Sequence, residues 1–186
     1  MIRHFVLSAA CFAAAQAHAA GFTLESPDIK ANGTIDKKFE ASTFGCTGEN
    51  KSPALKWSGA PKDTKSFAVT VYDPDAPTGS GWWHWSVINI PADVTELKPD
   101  AGAVGGANLP KGAGNVRIDY GVAGWGGMCP PPGDKPHRYI FTVHALKTDK
   151  IDVPPDATAA LAGFMINANS IAKASFTAKY GRPKAK

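Results

Sequence analysis

Two histidines, two aspartates and a tyrosine stand where strand patterns meet loops rich in proline and glycine. Asp73 and Asp75 lie in Tyr72-Asp73-Pro74-Asp75-Ala76-Pro77, His84 in Trp82-Trp83-His84-Trp85, and His137 and Tyr139 in Pro136-His137-Arg138-Tyr139. Two imidazoles, a phenol and the backbone N–H groups of a glycine-rich loop all donate hydrogen bonds, and such donors suit an oxyanion like phosphate. An imidazole titrates near pH ~6.5 and gains charge readily beside an anion or a carboxylate. Asp73 would orient and charge an imidazole while repelling a fully ionised ligand. That balance favours a monoester or phosphodiester head group over a deeply buried dianion. Each histidine taken alone fits a structural hydrogen bond as well as a ligand contact; their joint placement at strand starts carries the reading.

Other chemistries fit the residues less well. A serine hydrolase wants a nucleophile elbow, G-x-S-x-G, but Ser80 lies in Pro77-Thr78-Gly79-Ser80-Gly81, with Thr78 where the first glycine should stand. Two histidines and one or two carboxylates match a common metal-ligand count, yet no H-x-H or H-E-x-x-H pair sets their geometry locally. No catalysis, metal or other cofactor is therefore expected. A weak hydrolase using the histidine pair stands as the third reading.

Strands must carry these groups. Ser66 to Tyr72 alternates, with Phe67, Val69 and Val71 on one face against Ala68, Thr70 and Tyr72 on the other. Asp73-Pro74 ends that run, because proline donates no ladder hydrogen bond and keeps the preceding residue out of the helical region. A second pattern runs from His84 to Ile90. A third, His137 to Leu146, follows the stiff Cys129-Pro130-Pro131-Pro132-Gly133 loop and puts His137, Tyr139, Phe141 and Val143 on one face. Gly121 to Gly127 is glycine-rich around Trp125.

The rest of the chain positions little by itself. Short strand-like pieces are expected at Phe22–Leu24, Ala31–Gly33, Phe39-Glu40 and Leu55–Trp57, with a loop over 44–53. Residues 92–118 read as a long excursion with room for one short turn of helix. Pro154-Pro155-Asp156 offers a stop and a cap, after which Leu161, Phe164, Met165, Ala168, Ile171 and Ala172 recur at helical spacing over 157–172 and make a core-packing face. Ala174 to Tyr180 alternates again as a closing strand. Many short strands and one helix predict a mainly β protein, a two-sheet antiparallel β-sandwich with a peripheral C-terminal helix.

Residues 1–19 read as a signal peptide: Arg3, an apolar run from Phe5 to Ala15, and Ala17-His18-Ala19 before a cleavage site. That run is short for a membrane span, and no later stretch approaches one. Residues 20–186 are expected to form one domain, periplasmic or secreted. Without the leader the chain carries 19 basic and 16 acidic residues, a net charge of +3. The lysines are scattered, with a small cluster at Lys179, Arg182, Lys184 and Lys186 and no basic stripe, so nucleic acid is not an expected partner. Cys46 and Cys129 then make an even count in an oxidising compartment, which favours a disulfide over two separate small core residues.

The motifs resemble a known family. Asp73-Pro74-Asp75-Ala76-Pro77 with Trp83-His84-Trp85 and Asn89-Ile90-Pro91 resembles the first signature of the phosphatidylethanolamine-binding protein (PEBP) family, which includes the Raf kinase inhibitor proteins. Pro130-Pro131-Pro132-Gly133 leading to His137-Arg138-Tyr139 resembles the second. Asn50-Lys51-Ser52-Pro53-Ala54-Leu55-Lys56-Trp57 and Ser80-Gly81-Trp82-Trp83-His84-Trp85 look like its bacterial YbhB/YbcL branch, and the resemblance covers residues 22–181. It implies a two-sheet fold with a small anion pocket at one end. The pocket would be lined by Asp73, Pro77, His84, His137 and Tyr139, with Asp75 and Pro130 beside them. Cys129 stands where the family often has glycine, which places a disulfide on the pocket wall. The resemblance also implies a cis bond between Ala76 and Pro77. The expected function is binding of a phosphorylated small molecule or phospholipid head group. The alternative is a kinase- or protease-inhibitor-like module docking a protein on a rim of Trp82, Trp83, Trp85 and Trp125.

Overall fold

The computed structural model describes residues 21–184. The leader expected over 1–19, with its cleavage after Ala19, lies outside the described residues. Strands β1 (Thr23–Glu25), β2 (Leu55–Ser58), β3 (Ser66–Asp73), β4 (Trp82–Pro91), β5 (Glu96–Leu97), β6 (Gly114–Asn115), β7 (His137–Leu146) and β8 (Ser170–Tyr180) form two sheets, with helix α1 (Ala159–Asn169) between β7 and β8. One sheet has the order β1-β2-β5 and the other β6-β4-β3-β7-β8, every neighbour antiparallel. The mainly β, two-sheet antiparallel architecture is thus the one expected.

Alternation on the long strands sorts side chains into two layers. Phe67, Val69 and Val71 of β3 meet Leu24, Leu55, Trp57 and Leu97 of the smaller sheet and Phe141 and Val143 of β7, forming the core between the sheets. Ala68 points the other way and packs with Ile88, Leu146, Ala162 and Ile166 beneath α1. Thr158 caps the helix, its Oγ1 accepting from the Leu161 N–H at 3.2 Å. The cap is thus two residues past Asp156, and the helix stops at Asn169, where β8 begins. The expected packing face is also corrected: Ala159, Ala162 and Ile166 are buried, while Leu161 is 43 % and Phe164 70 % exposed. The helix is apolar on nearly every side, so the sheet decides which side is covered. The small Ala162 packs in one cluster with Ala68.

Three shorter expectations also change. Ala31–Gly33 is a turn, with Asn32 at φ 60°, rather than a strand. Lys37–Phe39 is a 3-10 turn capped by Asp36 rather than a strand. Residues 92–118 hold no helix; β5 and β6 are joined through turns stepped three residues apart, Ala103 N–H to Asp100 O, Gly106 to Ala103 and Leu109 to Gly106.

The β3–β4 ladder contains an irregularity that alternation cannot reveal. Val71 lies opposite Trp85 and Tyr72 opposite Trp83, so His84 is an extra residue with no partner on β3. Such a bulge rotates the strand and lets consecutive side chains share a face. His84 and Trp85 accordingly both turn toward the inner side of the sheet, where His84 meets Tyr139 edge-on at 5.1 Å and Trp85 meets Trp125 at 5.8 Å.

Candidate functional site

The ends of β3, β4 and β7 meet at a cavity of about 220 Å³. β3 delivers Asp73 as its last residue, the bulge of β4 delivers His84, and β7 delivers His137 and Tyr139 from its first turn of alternation. Ala76, Pro77 and Thr78 close one side, Cys129, Pro130 and Pro131 another, and Phe44, Trp82 and Tyr120 the mouth. Of the expected site residues, Asp73, Pro77, His84, Cys129, Pro130, His137 and Tyr139 line this one cavity.

Asp75 does not join them. Its two oxygens grip Arg138, Oδ1 accepting from Nη2 at 2.7 Å and Oδ2 from Nε at 2.8 Å and from the backbone N–H at 2.9 Å. Those hydrogen bonds, the side-chain pair foremost, hold its carboxyl down at about 2. A forked guanidinium pair of this kind turns the side chain outward and neutralises it away from the pocket. The Ala76–Pro77 bond is likewise not cis; every described peptide bond is trans. The turn closes without it, through Asp75 N–H to Asp73 Oδ1 and Thr78 N–H to Ala76 O, both 2.8 Å, and trans is the preferred X-Pro form.

The glycine-rich stretch also plays another part than the one expected. Four of its amide donors are taken: Gly121 donates to Ile118 O, Trp125 to Gly102 O, Gly126 to His84 O and Gly127 to Asn50 Oδ1. What it offers instead are carbonyls and close approach. A Cβ at Gly126 would collide with the Tyr120 ring, so glycine there admits the tyrosine to the pocket wall. Tyr120 Oη donates to Gly127 O at 2.7 Å. Of the tryptophans expected at the rim, only Trp82 reaches it. Trp85 and Trp125 are core residues, and Trp83 faces the helix side of the sheet.

Hydrogen bonds assign the protons. His84 Nδ1 lies 2.7 Å from Gly126 O, a carbonyl that only accepts, so Nδ1 carries the hydrogen and Nε2 is left with its lone pair. Burial holds the His84 pKa below its ordinary value despite the Gly126 contact and the Asp73 charge, so the ring is neutral at pH 7. His137 Nδ1 donates to Asp73 Oδ2 at 2.8 Å, and both groups are buried. Burial, with Asp73 second, pushes the Tyr139 and Tyr120 hydroxyls far up, so both remain protonated donors. Tyr139 Oη is buried and has no hydrogen-bond partner among the described residues. Among the described residues no set of three His, Cys, Asp or Glu side chains is grouped to hold a metal.

Cys46 and Cys129 are bonded, their Cα atoms 5.9 Å apart. The bridge ties the 43–46 loop to the pocket wall, and Phe44, 72 % exposed with φ 53°, stands over Tyr120 at 5.8 Å. Phe44 and Tyr120 were not among the expected residues, and Trp82 was expected only in a protein-docking rim. Phe44 and Tyr120 come from loops folded over the sheet end, which no local pattern marks.

Comparison with known proteins agrees with this architecture. Residues 25–181 match the phosphatidylethanolamine-binding protein family model. The chain is 58 % identical over 164 residues to YbcL of Escherichia coli (strain K12), covering 88 % of this chain and 90 % of that one. It is 46 % identical over 157 residues to YbhB of the same organism, covering 84 % and 98 %. The crystal structure of E. coli YbcL superposes with a TM-score of 0.85 at 57 % identity, covering 87 % of this chain and 99 % of that one. A Chlamydia trachomatis PEBP homologue gives 0.72 at 28 %, covering 87 % and 98 %. With a matching family model over most of its length and the paired motifs meeting at one cavity, the chain belongs to the phosphatidylethanolamine-binding protein family.

Proposed function

We propose that the cavity binds a singly charged phosphate-type group, carried by a phosphorylated small molecule or a phospholipid head group, and performs no chemistry on it. The unpartnered hydroxyl of Tyr139 carries this reading. A buried donor without a partner is costly, and here it shares a cavity with two imidazoles whose Nδ1 atoms are already committed. An oxyanion between them would accept from Tyr139 Oη and engage His84 and His137 through Nε2. The buried Asp73 carboxylate opposes a dianion, and the lone pair on His84 Nε2 suits a phosphate that keeps or brings one proton. The apolar rim of Phe44, Pro77, Trp82, Pro130 and Pro131 would lie against the ester's carbon chain.

Two features of the lining support a site without chemistry. Thr78 Oγ1 donates to Gly81 O, and Cys129 is held in its disulfide, so neither is an activated nucleophile. The disulfide supports residence in an oxidising compartment, in keeping with the expected leader. Calorimetric titration with phosphorylethanolamine tests the reading: binding by the wild type that falls at least about tenfold in Tyr139→Phe supports it, and equal affinities remove it. A second reading, a protein partner docked on the rim, draws on the exposure of Phe44 at the mouth. It predicts capture of a partner that survives loss of both His84 and His137 but not Phe44→Ala.

A further inference from the structure

The same five-stranded sheet carries a second cavity, of about 260 Å³, on its opposite face, roofed by α1. Its floor follows one rung of the sheet. Thr70 pairs with Thr142 and Thr142 with Ser175, so three adjacent strands each present a hydroxyl residue side by side. On the next rung His144 stands opposite Lys173. Trp83 and Tyr72, with ring centroids 4.5 Å apart, form an aromatic wall.

This polar floor is unusual for its place. Where α1 crosses the other half of the sheet, the layer is apolar: Ala68, Ile88, Leu146 and Ile166. Beside it Thr70, Thr142 and His144 are more than nine-tenths buried, yet polar. Their hydrogen bonding is incomplete. Thr142 and Ser175 share a bond of 2.8 Å, but His144 Nε2 reaches Thr70 Oγ1 only at 3.4 Å, and His144 Nδ1 has no partner among the described residues. Buried polar atoms left so, beside an open cavity, mark a surface made to be completed by a ligand.

Charge narrows the ligand. Lys173 is exposed at the cavity edge and forms no ion pair among the described residues, and no carboxylate lines the cavity. Burial, helped by Lys173, holds His144 down at about 4, so it adds hydrogen bonding without a second positive charge. Hydroxyls both donate and accept, as a polyol requires.

We propose that this cavity is a second ligand site for a small hydroxylated organic anion, its charged group at Lys173 and Ser175, its hydroxyls over Thr142 and Thr70, and its carbon frame against Trp83.

Titration of the whole protein with glucuronate, followed through the imidazole resonances of His144 (assigned with His144→Gln), tests this. Expected is a saturable shift of His144, with affinity reduced at least about tenfold in Lys173→Met and about equally low for glucose, which lacks the charge, and for acetate, which lacks the hydroxyls. The proposal is overturned by an absent or non-saturating shift, by one unchanged in Lys173→Met, or by glucose or acetate binding equally well.

Discussion

His137 Nδ1 lies 2.8 Å from Asp73 Oδ2, and both side chains are almost wholly removed from solvent. A carboxylate accepts, so the imidazole hydrogen sits on Nδ1 and Nε2 becomes the atom a ligand can meet, with Asp134 Oδ2 3.7 Å from it. The pair links two strands that are adjacent in the sheet but 64 residues apart in sequence. Removing one partner of such a pair strands the other. Asp73→Ala should therefore lower stability by about 3 kcal/mol, measured by denaturant unfolding, and a loss near zero would mean the pair is not formed.

Through His84, anion binding at the proposed site should depend on pH. Its free-state pKa is held below 6.5 by burial, and a bound anion raises it. Binding therefore takes up a proton, and affinity for phosphorylethanolamine should rise as pH falls from 8 toward the free-state pKa. Calorimetry in buffers of different ionisation enthalpy reads that proton directly. In His84→Gln the uptake should shrink.

Tyr139→Phe should move stability and affinity in opposite directions. Deleting an unsatisfied buried hydroxyl costs the fold nothing and can stabilise it, whereas the ligand loses a charge-assisted hydrogen bond of about 1.5–3 kcal/mol. Thermal melts beside ligand titrations separate the two.

Reduction of Cys46–Cys129 should destabilise the fold and weaken the pocket together. The bridge closes a separation of 83 residues, for which chain entropy gives about 4 kcal/mol. It also holds Phe44 above Tyr120. The Cys46→Ala/Cys129→Ala double variant should melt lower and bind phosphorylethanolamine more weakly; unchanged affinity would confine the bridge to a stabilising role.

His144 should contribute to acid sensitivity. In the unfolded chain it binds its proton near ~6.5, and in the fold only near about 4. Between those values the unfolded state holds the extra proton, so stability present above pH 6.5 is lost as pH falls toward 4, by up to ~3 kcal/mol. Asp75, held down at about 2 by Arg138, acts only at lower pH. His144→Gln should flatten the stability profile within that window, as urea unfolding at stepped pH would show.

Much of the site could be read from the chain because strands encode their faces with a period of two. His137 and Tyr139 share a face with Phe141 on any straight strand, and Asp73 ends its strand because Pro74 follows. Counting cysteines was enough to anticipate the bridge. The same alternation misplaces His84, since a bulge turns it to the face of its neighbour Trp85, and a bulge is a property of two strands together.

What only the tertiary structure decided are the choices between equivalent local possibilities. Asp73 and Asp75 are the same residue type two positions apart, yet one finds a buried imidazole and the other an exposed guanidinium. Trp82, Trp83 and Trp85 are near neighbours, and pairing sends them to the pocket, the helix side and the core. The helix could have buried Leu161 and Phe164; the sheet beneath it took Ala162 and Ile166. Sequence determines local geometry through short-range sterics and periodicity. Which of two like side chains meets a partner depends on surfaces brought together from distant parts of the chain.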